Sequence, residues 1–268
     1  MNAFLNHMSF EFRTGLRDKS LLLMNYLFPL IFYFVVGPIM AKLNPSFKDT
    51  MIPSMVVFAI LSSMVLSLPN PLVAARESGI FRSFRINGVP ASSILFIPAL
   101  TAVLHMVVVA TIITVTAHLF FNSPLPTDWF SFVLAFFLMS FASAGIGVLI
   151  GIISSNSRIT ILWSQAIFLP SMMIGGLMIP ASMLPSGLQK VGMLLPSTYA
   201  LSIFRGFAEN GGISPIWSIV ILSAGTLLSF LLSGYLFNWN NINVSRRKNP
   251  ILAVLAFLPY ILGFALLS

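Results

Sequence analysis

Long uninterrupted apolar runs separated by short polar gaps dominate the chain. Runs of about 20 residues, the length an α-helix needs to cross a hydrocarbon core, fall at 21–41, 51–69, 92–121, 129–153, 160–180 and 214–238. The run 92–121 is longer than one crossing requires and has room to tilt or to end in an interfacial turn. A last apolar stretch, Ile251 to Ser268, follows a polar stop at Arg246, Arg247 and Lys248. None of the runs shows the two-residue alternation of a membrane β-barrel. The pattern predicts an all-α polytopic membrane protein. The tail 251–268 can be an extra seventh span, with the C-terminus outside, or an interfacial helix.

Residues 1–20 follow a different pattern. Phe4, Leu5, Met8, Phe12 and Leu16 fall on one helical stripe, while Glu11, Arg13, Arg17 and Lys19 fall elsewhere. This predicts an amphipathic helix in the cytoplasmic interface, acting as an anchor or as something more. The next apolar run starts near Leu21, is span-length and lacks a small-residue cleavage site, so it is expected to stay as the first span.

Composition strengthens the membrane reading. Hydrophobic residues make up 57%, charged residues only 7%, and mean hydropathy is +0.97. A soluble fold with so little polar material could not cover its surface. The net charge of +8 would suit nucleic acid, but no basic run exceeds three residues and no aromatic–basic interleaving marks a strand-binding groove. Nucleic acid is not an expected partner; membrane lipid is. The basic residues set orientation instead. With the N-terminus inside, the cytoplasmic pieces hold Arg13, Arg17, Lys19, Arg76, Arg82, Arg85, Arg158, Arg246, Arg247 and Lys248, and the outer pieces only Lys42, Lys48, Lys190 and Arg205. That asymmetry favours a cytoplasmic N-terminus.

The positions of the ionisable groups narrow the chemistry. All six acids (Glu11, Asp18, Asp49, Glu77, Asp128 and Glu209) lie in loops, at span ends or in the N-terminal helix. Ion-coupled carriers keep carboxylates at mid-membrane, so ion coupling is disfavoured, as is a channel built on a charged ring. His105 is the one ionisable residue well inside a span. It reads either as a buried neutral imidazole bonded to a neighbouring helix or as a proton relay. With no cysteine there is no thiol nucleophile or thiolate metal site. No metalloprotease, nucleophile-elbow or phosphate-loop motif occurs, so the chain is not expected to be an enzyme or to hold ATP itself. Ser143, Gly147 and Gly151 recur at four-residue steps, a spacing that suits close helix packing within one subunit or between two.

The polar gap 70–91 is unusual. Ile80, Phe81 and Phe84 alternate with Arg76, Glu77, Arg82 and Arg85 at helical spacing, after Pro71 and before Gly88 and Pro90. A short two-faced helix there can lie on lipid or seat in a groove of a partner.

The stretch Ala75 to Pro90, which includes Arg76, Glu77, Ser78, Gly79, Phe81, Arg82, Phe84 and Arg85, resembles the R-E-x-G-x-x-E/R-x-L/F-R loop of the ABC-2 type permeases. Those are membrane subunits of one class of ATP-driven exporter. Gly175, Gly176, Pro180, Pro185, Pro196 and Tyr199 resemble that family's G-G…P…P…P-x-x-Y-A stretch, and the likeness covers about residues 1–245. It implies an interfacial helix 1–20, a six-span domain 21–245, and a basic stop with an extra span at 246–268. It also implies a prokaryotic cytoplasmic membrane and a second permease copy or paralogue. A separate ABC ATPase, carrying ATP and Mg, would dock from the cytoplasm on a coupling helix within 76–85, with helix 1–20 packed beside it. The outer segment 180–207 would dip back into the bundle as a gate, where Arg205 and Glu209, one turn apart, can pair. Arg82 stands where the family usually has an acid, which predicts an ATPase with a more acidic cleft. Cargo is expected to be an amphiphilic drug, antibiotic or lipid, and no residue is singled out for binding it.

Overall fold

The structure is a computed structural model that describes residues 2–180, 183–206, 213–239 and 249–267. Glu209 and the trio Arg246, Arg247 and Lys248 lie outside the described residues, as do the side chains of Phe4 and Leu5. The elements are all helical: α1 Asn2–Arg17, α2 Lys19–Leu43, α3 Phe47–Glu77, α4 Ile80–Ile86, α5 Ala91–Phe121, α6 Trp129–Ile153, α7 Ser157–Ile174, α8 Ser186–Gly192, α9 Pro196–Phe204, α10 Pro215–Leu236 and α11 Pro250–Leu267. Six of them (α2, α3, α5, α6, α10 and α11) are long and apolar enough to cross a membrane. Helix α7 has 18 residues, the same as α11, or about 27 Å at 1.5 Å per residue, but it is less apolar, with Arg158 and Gln165 in it. It still runs from the α6 terminus to the far end of the bundle, where Ile174 meets Gly192.

Several boundaries differ from the sequence pattern. The second span runs on to Glu77 instead of stopping near residue 69. Its residues Ser62–Ser67 form a π-helical turn, closed by Leu68 N–H donating to the Ser63 carbonyl at 3.0 Å. Pro69 and Pro71 then fall in the first turn of the resumed α-helix, where a missing N–H costs little. The fifth span stops at Ile174, six residues early, because the backbone turns at Gly175 and Gly176, the latter in the left-handed region at φ 83°. Helix α6 begins where its cap predicts: Asp128 accepts from the Ser131 N–H at 3.1 Å.

The core forms around α3. In its most apolar 18-residue window 89% of residues are buried, against 22% for α2, so α3 is the central post and α2 lies at the periphery of the bundle. The small-residue stripe of α6 packs inside the subunit. A side chain at Gly147 would collide with the Met64 carbonyl, and one at Gly151 would touch Leu72 at 3.0 Å. Between α2 and α3 the Ser63 hydroxyl donates to Asn25 Oδ1 at 2.9 Å, joining two buried polar groups that sit in facing π-helical turns.

Helices α3 and α5 have 31 residues each, about 46 Å of helix against a hydrocarbon core of about 30 Å. The tail α11 runs antiparallel to α10: Gly225 faces Tyr260, and Gly263 faces Ile221. It is 3-10 over Pro250–Phe257 and α over Leu258–Leu267. At 2.0 and 1.5 Å per residue it rises about 31 Å, enough for a seventh crossing.

Candidate functional site

The two ends of the bundle are built differently. At one end α3 runs into α4 through Ser78 and Gly79. Gly79 takes φ 78°, a left-handed turn that ends one helix and starts the next. Helix α4 turns Phe81 inward, 2% exposed, with its ring 5.6 Å from Phe237 beyond α10. Phe84 is half-buried and meets His7 of α1 edge-on at 6.0 Å. With two aromatics sunk, the opposite face is left outside: Ile80, Arg82, Arg85 and Ile86 are exposed, Ile86 to 78%. Asn87 Nδ2 donates to the Ser83 carbonyl at 2.9 Å, and Gly88 at φ 72° turns the chain into α5.

The residues expected to act together at this end separate into two groups. Glu77, Ser78, Gly79, Arg82 and Arg85 are exposed, whereas Phe81 and Phe84 serve as the roots of α4. Arg76 also points inward, 7% exposed. Its guanidinium donates to the carbonyls of Gly151 at 3.3 Å, Ile152 at 2.7 Å and Ser154, all at the C-terminus of α6. The likeness to the family implies a place for Arg76 in the coupling segment 76–85, and the structure puts its side chain against α6 and not on the exposed face of α4. The signal for its true placement lies in Leu72 and Val73, which share its side of α3 and are buried.

Helix α1 bridges this hairpin to the bundle. Phe12 stacks on His105 of α5 at 4.4 Å, and Gly15 sits so close that a β-carbon there would lie 2.6 Å from His105 Nε2. From α2 the Tyr26 hydroxyl meets His105 Nδ1 at 2.6 Å. His105 is thus a buried imidazole tied to a neighbouring helix, with no carboxylate among these partners. Phe10 and Leu16 stay exposed, so the packed face of α1 is offset from the stripe read in the sequence. Glu11, half-buried beside His7 at 3.7 Å, has its carboxyl pushed up by desolvation, an effect the histidine partly offsets.

The opposite end carries the broken segment 175–206. Gly175 lies directly against the Ser197 hydroxyl and the Ser171 carbonyl, which leaves no space for a side chain. The Pro180 carbonyl accepts from the Met183 N–H at 2.9 Å, Pro185 precedes α8, and Pro196 occupies the first turn of α9. Helix α9 is sunk among α3, α6 and α10 through Tyr199, Ala200 and Ile203. Thr198 donates to the Gly192 carbonyl at 2.6 Å and holds α8 against α9. Arg205 is exposed, and its expected partner Glu209 lies outside the described residues. Among the described residues, no group of three or more carboxylates and histidines could hold a metal ion.

A helical bundle with six helices long and apolar enough to cross a membrane, a short two-faced helix rooted at one end and proline-broken helices sunk into the other, defines a multi-pass membrane protein. The chain belongs to the ABC-2 type transporter family, whose model matches residues 3–207. A curated relative from Bacillus subtilis (strain 168), named "Putative transport permease YvfS", is 24% identical over 241 residues, covering 88% of this chain and 97% of the relative. No solved structure matches. Membership makes the chain a transporter permease subunit and implies association with an ABC ATPase.

Proposed function

We propose that the chain is the membrane subunit of an ATP-driven exporter, oriented with its N-terminus in the cytoplasm of a prokaryotic cell. The observation that carries this reading is α4. Its exposed face presents Arg82, Arg85, Ile80 and Ile86, while Phe81 and Phe84 fix its angle to the bundle. A short helix rooted this way transmits a push, whereas a flexible polar loop would absorb it. The ATPase docks there and binds ATP and Mg; this chain contributes no catalytic group. Two permeases and two ATPases make the working unit, and closure of the ATPases rocks the paired bundles.

The cargo in this reading is an amphiphile. In support, an apolar groove of about 270 Å³ runs between α5 and α6, lined by Val107, Thr111, Thr114, Trp129, Phe132 and Phe136, a lining suited to an apolar tail. Exposed basic residues at the α4 end include Arg82, Arg85 and Arg158, consistent with a cytoplasmic face. The test is affinity capture of the tagged chain with its co-expressed ATPase. The two should be recovered together, and Arg82→Glu with Arg85→Glu should reduce recovery at least tenfold without lowering permease yield. Undiminished recovery would refute docking on α4.

A further inference from the structure

The ATPase pushes on α4, but α4 is joined by the chain only to α3 and α5. Helix α6 is the element packed most extensively against α9 and α10, and no loop joins it directly to α3 or α4. The one charged side chain buried between them, among the described residues, is Arg76. We infer that Arg76 is the positioning residue that fastens the C-terminus of α6 to the coupling hairpin, so that the two ends of the transporter move as one lever. The mechanical part of this inference rests on the exporter reading; the fastening itself does not.

The chemistry suits the task. The last carbonyls of a helix have no intrahelical donors and carry the negative end of the helix dipole. At α6 these carbonyls face a guanidinium, which is permanently charged and holds several N–H donors in a rigid fork. Three acceptors from four successive residues, Gly151, Ile152 and Ser154, converge on it. The joint is also packed: a β-carbon at Gly151 would lie 3.0 Å from Leu72, one turn before Arg76 on α3, and 3.2 Å from the Pro69 carbonyl. Charge-assisted bonds of this kind resist sliding, whereas apolar side chains alone would allow the two helices to slip. A lysine can satisfy some of these carbonyls but lacks the fork.

The chain has no cysteine, so introduced pairs can be spin-labelled without background. Ser78→Cys with Ser155→Cys reports across the joint, and Lys48→Cys with Pro124→Cys reports on the opposite end. In nanodiscs holding the chain alone, the first pair should give a narrow distance distribution by dipolar EPR. Arg76→Gln should broaden it at least twofold, Arg76→Lys should lie between, and the second pair should stay unchanged in all three. In the complex with its ATPase, the first distance should be the same before and after trapping with ATP and vanadate when Arg76 is present, and should shift in the glutamine variant. Equal widths with and without the Arg76→Gln substitution would overturn the inference. So would broadening of both pairs together, which marks general loosening, or a shift across the joint in the unsubstituted protein. If no ATPase binds, the exporter reading fails while the comparison in the isolated chain still decides the fastening.

Discussion

Tyr199 of α9 and Tyr260 of α11 lie with ring centroids 5.9 Å apart, each fully buried, and each hydroxyl rests on a glycine of a neighbouring helix, Gly263 and Gly225 respectively. This interlock ties the C-terminal helix α11 to the sunken helix α9. Because the tail stays in lipid whether or not it is docked, the transfer contribution of a substitution there largely cancels. Tyr260→Ala removes about 100 Å³ of packed ring, and at about 24 cal/mol per Å³ of cavity the packing loss is about 2 kcal/mol. Thermal unfolding in nanodiscs should show this loss, with a similar one for Gly263→Val, whose β-carbon meets the Tyr199 hydroxyl. Exposed Leu262→Ala should change little, and equal effects at all three sites would dismiss the interlock.

The two faces of α4 should separate stability from docking. Phe81→Ala empties a buried site against Phe237 and should cost about 3–5 kcal/mol, lowering both the melting temperature and ATPase recovery. Arg82→Glu, on the exposed face, should leave stability within about 0.5 kcal/mol yet alter ATPase recovery. Melting curves and capture ratios on the same preparations compare the two. A variant at Arg82 that melts early but binds normally would reverse the assignment.

Tyr26 and His105 share one part-buried hydrogen bond between α2 and α5. Tyr26→Phe keeps the ring and deletes the bond, at a cost of about 0.6–1 kcal/mol. Because α1 also stacks on His105, hydrogen exchange of α1 amides should rise in this variant. Unchanged protection would show that α1 is held without His105.

Glu11 gives α1 a pH dependence. Its carboxyl is held above the ordinary value by desolvation in the packed state, so the packed helix favours the protonated form. The stabilisation is fully present below the unfolded value and is lost as pH rises through the raised folded value. Docking of α1 should therefore loosen as pH rises through that raised value, read as increasing amide exchange, and Glu11→Gln should flatten the profile. Asp128 works in the opposite sense. Its hydrogen bonds with Ser131 hold its carboxyl low, so its cap is present above the unfolded value and fails as pH falls through the folded one.

Much of this architecture is legible because lipid imposes a simple code of apolar length. The limits of α6 follow from Asp128, an N-cap that precedes an unbroken apolar run up to Ile153. The extension of α3 past Pro69 and Pro71 is not legible, since two prolines ordinarily end a helix and only the preceding π-helical turn makes them tolerable here. In the α3–α4 hairpin the spacing shows which residues form a two-faced helix, but not that Arg76 turns away from it. Its acceptors are backbone carbonyls 75 to 78 positions distant, and a carbonyl leaves no trace in residue identity. Tyr199 stands out as part of a motif, but the tail that covers it reads only as a possible span, because antiparallel pairing with α10 depends on Gly225 and Gly263 meeting ring edges.

The most direct measurement of the central claim is site-specific cross-linking to the ATPase from single cysteines, each unique in this cysteine-free chain. With a short bifunctional reagent, Arg82→Cys and Ile86→Cys should each capture the ATPase, while Lys48→Cys at the opposite end should not. Capture from Lys48→Cys, or from none of the three while the ATPase is present and active, would contradict the account.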